Sequence, residues 1–234
     1  MSTVFGPPTT PADLVPPLEN GDRLTRAEFE RRYRAMPDVR AELIEGTVYV
    51  MASPVRHTQH ARPHLRLCAW IASYVALTPG VDAGDNGSVR LDLGNEPQPD
   101  AYLFVAPGHG GGVRISDDGY VEGAPELVAE VSSSSASLDL GDKLRAYRRN
   151  GVREYLVWRV LDRAIDWFVL RDDRYDAMGP GEDGLLHSRA FPGLWLDAPA
   201  LLADDLAKVL ATLNRGLASP EHAAFVEGLR GAAG

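Results

Sequence analysis

Cysteine is nearly absent from this sequence, whose 234 residues include only Cys68. A single cysteine excludes a disulfide within the chain, and we take it to exclude a cysteine-based zinc site as well. Because Cys68 stands in an apolar run, we expect a buried and unreactive thiol.

Long apolar runs are also missing, since no segment approaches the roughly 20 residues that a membrane span needs. The first residues lack the basic start and apolar stretch of a signal peptide and are rich in proline, threonine and small residues. We therefore expect a soluble, cytoplasmic protein with no membrane partner and with a flexible N-terminal arm at residues 1–23.

Positive charge is scarce. The chain has 24 lysines and arginines against 33 acidic residues, which gives a net charge of −9. Proteins held to nucleic acid mainly by phosphate contacts are usually basic, so the charge argues against a tight, non-specific DNA coat. An enzyme stays possible, because metal-binding carboxylates are themselves acidic.

Apolar periodicity predicts one domain over 24–217 and a tail at 218–234 that reads as a detachable helix. The first helix is expected over 26–36, with Thr25 and Glu28 as a capping box and Pro37 as its stop. A second helix is expected to end near Leu77, with Pro63 in its first turn. Two more helices are expected over 138–150 and over 199–217.

Strands are predicted between these helices. A tight hairpin is expected over 41–51, strands over 88–93, 100–106 and 126–132, a second hairpin over 153–160 and 164–170, and short strands near Tyr175 and Trp195. The runs 100–106 and 126–132 are almost continuously apolar, as in strands covered on both faces. A glycine-rich loop without regular structure joins them. This order indicates an α/β fold of the α+β type, with a central mixed β-sheet flanked by helices.

Two carboxylates interrupt the apolar strands. Asp100 opens one strand and Glu130 lies inside the other, where a lone carboxylate is costly unless it is paired or bound to a metal. Hard cations such as Mg²⁺ take oxygen ligands of this kind. Lys143, in the following helix, can reach the same point, and a metal with a lysine could act on a phosphodiester.

A simpler interpretation of these three residues is also open. Asp100 could cap a strand end, Glu130 could pair with Arg145, and Lys143 could be a solvated helix residue. Spacing alone does not decide between this interpretation and a metal site.

Several short motifs occur in an order that resembles the Uma family of restriction endonucleases. The similarity extends over roughly 24–178 and is carried by 41–46, 51–54, His60, 99–100, 125–132, Asp139, Lys143, Tyr147 and 151–157. This resemblance implies a restriction-endonuclease-like core of the PD-(D/E)XK nuclease superfamily. It also implies a nuclease that uses Mg²⁺ or Mn²⁺.

The resemblance assigns roles residue by residue. Glu42, Asp100 and Glu130 are the three acidic catalytic positions, and Lys143 supplies the catalytic lysine from the following helix, because Ser132 stands where that lysine is usual. The implied metal ligands are Asp100, Glu130 and the backbone carbonyl of Val131.

Other polar and aromatic residues have weaker assignments. His60 and Arg148 are possible accessory residues, whereas His57 and His64 are expected on the surface. We do not expect the three histidines to form a zinc site. The basic stretch from Lys143 to Arg153 could contact phosphates or form a solvated helix face. Trp158 and Trp167 are expected in the core rather than as platforms for base stacking.

These observations favour a metal-dependent endonuclease that acts on nucleic acid, with DNA as the expected substrate. The alternative is a catalytically inactive nuclease-fold module for nucleic-acid binding or protein assembly. A metal-independent hydrolase is disfavoured, because the sequence has no Gly-x-Ser-x-Gly motif. A homo-oligomer is left open.

Overall fold

The computed structural model describes residues 15–51 and 55–232. The described residues include these strands: β1 (Ala41–Ile44), β2 (Thr47–Val50), β3 (Val81–Gly84), β4 (Val89–Arg90), β5 (Ala101–Val105), β6 (Arg114–Ile115), β7 (Val121–Glu122), β8 (Leu127–Ser132), β9 (Glu154–Arg159), β10 (Ala164–Arg171), β11 (Arg174–Ala177), β12 (Leu186–His187) and β13 (Trp195–Leu196).

The α-helices are α1 (Arg26–Tyr33), α2 (Arg62–Ala76), α3 (Ala136–Leu138), α4 (Leu144–Arg149), α5 (Ala198–Leu202), α6 (Leu206–Leu217) and α7 (Pro220–Ala232). Two wide π-helical turns, His57–Ala61 and Asp139–Lys143, lead into α2 and α4. Both turns carry candidate site residues.

A six-stranded sheet forms the centre of the fold, in the order β11-β10-β9-β8-β5-β3. Strands β8 and β9 are parallel and every other neighbouring pair is antiparallel. Helices α2, α5, α6 and α7 pack on one face, while α4 and a small sheet of β4, β7 and β6 pack on the other. The expectation of a mixed sheet flanked by helices is confirmed.

The side chains of β8 alternate between the two faces of the sheet, and this alternation determines on which face Glu130 lies. Leu127, Ala129 and Val131 pack into the core under α2, whereas Val128 packs on the opposite face. Successive side chains of a strand point to opposite faces, so Glu130 lies on the α4 side of the sheet.

Several predicted boundaries were wrong for local reasons. Helix α1 ends at Tyr33 instead of residue 36. The amides of Ala35 and Met36 bond to the carbonyls three residues earlier, as in turns, rather than four residues earlier. The predicted strand 88–93 shrinks to β4, since the chain turns back between Asp92 and Asn95. The predicted helix 199–217 is two helices, because Asp204 adopts a positive φ and Asp205 caps α6.

Two further differences concern strands that the sequence analysis did not predict. Strand β3 was not anticipated, since four residues after Gly80 carry little apolar pattern, yet it forms one edge of the sheet. The expected loop 107–123 contains β6 and β7, which pair with each other and, through β7, with β4.

Helix α7 packs against the body of the protein. His222, Val226 and Leu229 are buried, the His222 ring contacts the Thr78 hydroxyl at 3.0 Å, and His109 contacts the Leu229 carbonyl. Of the expected N-terminal arm, residues 1–14 lie outside the described part, and Leu18 is buried. The division of the chain at residues 23 and 217 stays a prediction.

Replacing a buried leucine of α7 tests this packing. Leu229→Ala is expected to lower the free energy of unfolding by about 2–5 kcal/mol, because it removes core contacts and leaves a cavity. Leu65→Ala is the matched control, since Leu65 is 67% exposed and its loss should cost at most about 0.5 kcal/mol. Equal unfolding midpoints in urea would show that α7 does not contribute to the fold.

Candidate active site

Lys143 lies at the centre of a buried group of acidic side chains. Its Nζ is 3.0 Å from Glu42 Oε2, 3.1 Å from Glu130 Oε1 and 3.8 Å from Asp139 Oδ1. Each of the four side chains is at most 5% exposed. Buried charges are stable only when they are paired, so these residues depend on one another.

Local structure brings these groups together. Strand β1 is buried along its whole length and presents Glu42, whose Oε2 also accepts a hydrogen bond from the Gln98 backbone at 3.2 Å. The π-helical turn before α4 carries both Asp139 and Lys143. One turn later, the Tyr147 hydroxyl donates to Glu130 Oε1 at 2.9 Å.

Asp139 and Tyr147 were not among the predicted site residues, although both belong to the network. The signal was present in the sequence, because residues 139, 143 and 147 are spaced by four and fall on one side of a helix. Asp139 is fixed by the Ser135 hydroxyl, which donates to its Oδ2 at 2.5 Å.

Asp100 lies beside Glu130 on the same face of the sheet. Ala101 is paired with Ala129 in the register of β5 and β8, which sets Asp100 opposite Glu130. The Val131 amide donates to Asp100 Oδ2 at 2.7 Å, and the Asp100 amide lies 3.4 Å from Glu130 Oε2. The two predicted strand acids therefore lie together, next to Lys143.

His60 closes the edge of this group. Its Nε2 is 3.2 Å from Asp100 Oδ1 and its Nδ1 is 3.2 Å from the Val131 carbonyl. Both partners are acceptors, so the ring that satisfies both carries two N–H groups and is an imidazolium. The hydrogen bond to Asp100 correspondingly raises the pKa of His60.

Burial makes the ionised forms of the carboxyl groups in this cluster unfavourable. Burial raises the pKa of Glu130 well above its usual range, and that of Glu42 as well, although Lys143 opposes both shifts. Burial lowers the pKa of Lys143, but the surrounding carboxylates outweigh it and raise that pKa above the usual value. Crowded carboxylates around one ammonium favour the uptake of a further cation.

The simpler interpretation was wrong for Glu130 and Lys143. Glu130 pairs with Lys143, while Arg145 pairs with Asp142 on the surface. Lys143 is 4% exposed rather than solvated. It is one of two lysines in the chain, and its compact point charge suits a small buried space better than a guanidinium does.

The remaining predicted residues lie in different places. His57 is exposed, as expected, and the two tryptophans, Trp158 and Trp167, lie in the core, also as expected. Arg148 donates to the Asp173 carbonyl in the turn between β10 and β11.

His64 was expected on the surface, and that expectation was wrong. Its side chain is 17% exposed, and Nε2 contacts the Asp100 carbonyl at 2.9 Å. A backbone acceptor leaves no signal in a sequence, so this contact could not be predicted. Cys68, on the same helix, is half-buried rather than buried as expected, and burial raises the pKa of its thiol to about 12.

Most of the chain matches a known protein family. A family model described as "Uma2: Putative restriction endonuclease" matches residues 26–199. The chain belongs to the Uma2 family. That match contains every predicted catalytic residue from Glu42 to Lys143, and it confirms the resemblance drawn from the short motifs.

Solved structures support the fold of this Uma2 protein. A crystal structure described as a putative nuclease belonging to DUF820 from Anabaena variabilis superposes with a TM-score of 0.53 at 12% sequence identity. The alignment covers 78% of this chain and 97% of the other. No curated protein matches the chain.

Among the described residues, no helix is both long and apolar enough to cross a bilayer.

Proposed function

We propose that this Uma2 protein is a Mg²⁺-dependent endonuclease that hydrolyses phosphodiester bonds of DNA, with Mn²⁺ able to replace Mg²⁺. The observation that carries the proposal is the placement of Asp100 and Glu130 on one face of two paired strands, where Lys143 forms an ion pair with Glu130. Membership of a restriction endonuclease family supports nucleic acid as the substrate.

The oxygen atoms at this edge of the sheet suit a hard cation. Asp100 Oδ1 and the Val131 carbonyl both face the His60 ring, whose imidazolium form would take the place of a cation there, and Glu130 Oε2 lies next to the Asp100 amide. Mg²⁺ uses one or two carboxylates and keeps several waters, so Asp100, Glu130 and Val131 could hold it. Bound there, the metal would supply a Lewis acid for the phosphate and a more acidic water.

The other side chains have supporting roles in this proposal. The Val131 amide orients the Asp100 carboxylate. Tyr147 and Lys143 both engage Glu130 Oε1, so Oε2, which contacts the Asp100 amide at 3.4 Å, could face the cation. Lys143 balances negative charge that develops on the phosphate, and Glu42 holds the ammonium in place.

Access to the buried group passes through His60. The side chain of His60 is 28% exposed and that of Asp100 is 12% exposed, whereas Lys143 is 5% exposed. We expect the ring to leave Asp100 and Val131 when the cation enters. The chain is acidic, so we expect DNA to contact a small local surface around this edge rather than a broad basic face.

A non-catalytic role is the second candidate, and the closed ion network favours it. Glu42, Glu130 and Asp139 already surround Lys143, and the ring of His60 already satisfies Asp100. A module for nucleic-acid binding or assembly could use this network only for stability.

A cleavage assay with the purified full-length chain separates the two candidates. Supercoiled DNA, linear DNA and RNA are each incubated with Mg²⁺, with Mn²⁺ and with an excess of chelator. The nuclease proposal expects metal-dependent nicking or cutting that chelator stops. No cutting of any substrate, with cation binding demonstrated by calorimetry, would favour the module.

A second prediction concerns His60. His60→Ala is expected to tighten Mn²⁺ binding by about tenfold, because the cation no longer displaces a charged hydrogen bond worth roughly 1.5–3 kcal/mol. Calorimetry on the wild type and on the variant measures the change. His57→Ala, in the same π-helical turn but exposed, is the matched control and should leave the Kd unchanged. Weaker binding by His60→Ala would instead make the ring a metal ligand.

A further inference from the structure

A second group of potential metal ligands lies one helical turn beyond His60. His64 and Cys68 are four residues apart on α2, and Asp85 approaches them from the loop after β3. His64 Nε2 is 3.3 Å from Cys68 Sγ and 3.9 Å from Asp85 Oδ2. Among the described residues, this is the one group of three such side chains whose ligand atoms all lie within 4.8 Å of one another.

These separations match the edges of a small coordination tetrahedron. With zinc–sulfur and zinc–nitrogen bonds of about 2.3 and 2.0 Å, two ligand atoms of a tetrahedral site lie roughly 3.5 Å apart. The separations of 3.3 and 3.9 Å in the structure lie on either side of that value. A cation bound by all three groups would require His64 Nε2 to turn away from the Asp100 carbonyl at 2.9 Å and the Asn86 side-chain amide at 3.3 Å.

We propose that His64, Cys68 and Asp85 form a binding site for a thiophilic divalent cation of the zinc type. A thiolate and an imidazole select zinc or cobalt over magnesium, which prefers oxygen ligands alone. Three protein ligands leave a fourth position for water, and the exposed Asp85 opens the site to solvent. Binding releases the thiol proton of Cys68, since the thiolate is the ligand.

The proposed zinc-type site and the proposed magnesium site use different residues and different ligand atoms. Both lie next to Asp100. His64 Nε2 contacts the Asp100 carbonyl, while His60 contacts the Asp100 carboxylate, and the two rings stack 5.6 Å apart. A cation on His64 Nε2 replaces its hydrogen bond to Asp100. The single cysteine excludes a site built on cysteines alone, as expected from the sequence, but not this mixed set of ligands.

Cobalt provides a direct test, because Cys68 is the sole cysteine in the sequence. Any thiolate-to-cobalt charge-transfer band in the near ultraviolet must then come from Cys68. Purified full-length protein, stripped with chelator, is titrated with Co²⁺. We expect one cobalt per chain, the charge-transfer band, the visible bands of tetrahedral Co²⁺, and loss of all of them on addition of Zn²⁺.

Matched variants assign the other two ligands. Asp85→Asn should weaken cobalt binding by about tenfold or more, since even the loss of a residue that only contacts a metal ligand costs roughly 10–100-fold in affinity. Asp82→Asn changes an exposed residue of β3 and should leave cobalt binding unchanged. His64→Asn should act like Asp85→Asn, and His57→Ala should not. Glu130→Gln should keep the band, which makes this test independent of the nuclease proposal.

Three results would overturn the site. The first is folded wild-type protein without a charge-transfer band at saturating Co²⁺. The second is a band of unchanged affinity in both Asp85→Asn and His64→Asn, which would mean that the thiol binds alone. The third is a stoichiometry of one cobalt per two chains that is lost on dilution, which would mean that Cys68 residues of two molecules bridge the ion.

Discussion

Lys143→Gln is expected to lose DNA cutting by about 10²–10⁴-fold while still binding a divalent cation. The ammonium does not ligate the metal in the proposed site. It engages Glu130 Oε1 at 3.1 Å, and in the proposed mechanism it would supply positive charge beside the phosphate. Calorimetry with Mn²⁺ and cleavage of plasmid DNA on the same preparation measure the two properties separately.

Stability complicates this variant, because Glu42, Glu130 and Asp139 lose their shared cation. Breaking a buried ion pair typically costs about 3–5 kcal/mol. The double variant Lys143→Gln/Glu42→Gln removes one carboxylate together with the ammonium, so it should recover part of the Tm without recovering activity. That dissociation separates a chemical role of Lys143 from a merely structural one.

The chain offers one matched control for this change. Lys208, the other lysine, is 59% exposed and pairs with the Asp197 carboxylate, which is 10% exposed. Lys208→Gln should keep wild-type cutting and nearly the wild-type Tm. Wild-type cutting by a folded Lys143→Gln protein would remove the lysine from the mechanism.

Asp100→Asn and Glu130→Gln are expected to lose most of the stabilisation by divalent cations. Crowded carboxylates repel one another, and a cation that binds the folded state relieves this repulsion. At 100 times the Kd, binding stabilises the wild type by about 2.7 kcal/mol, which raises Tm by roughly 5–10 °C in a domain of this size.

Thermal melts with and without Mn²⁺ measure this shift. Glu227→Gln and Asp82→Asn, which change exposed acids of the same types, should keep the wild-type rise. A rise of the same size in Asp100→Asn and Glu130→Gln would place the cation elsewhere in the protein.

The residues of the site differ in how far the sequence could predict them. Asp100 and Glu130 were predictable, because a carboxylate in an apolar strand is unusual and strand alternation fixes its face. Glu42 was reached through the family resemblance alone, since nothing in a short hairpin marks its carboxylate. Lys143 needed both the helix position and the resemblance.

Other features depended on contacts distant in sequence. The roles of His60 and His64 rest on the backbone carbonyls of Val131 and Asp100, which no side-chain pattern reveals. Strand β3 forms because β5 pairs with it, not because its four residues favour a strand. The π-helical turn that joins Asp139 to Lys143 likewise has no clear sequence signature.

Cutting of DNA by identically purified wild-type and Asp100→Ala proteins tests the central claim most directly. Both preparations are assayed with Mn²⁺ and with chelator, so that a contaminating nuclease appears equally in each. The account predicts metal-dependent cutting by the wild type, stopped by chelator, and none by Asp100→Ala, because that variant lacks a metal ligand. Equal cutting by both proteins would contradict it, and so would an inactive wild type with Mn²⁺ bound at Asp100 and Glu130.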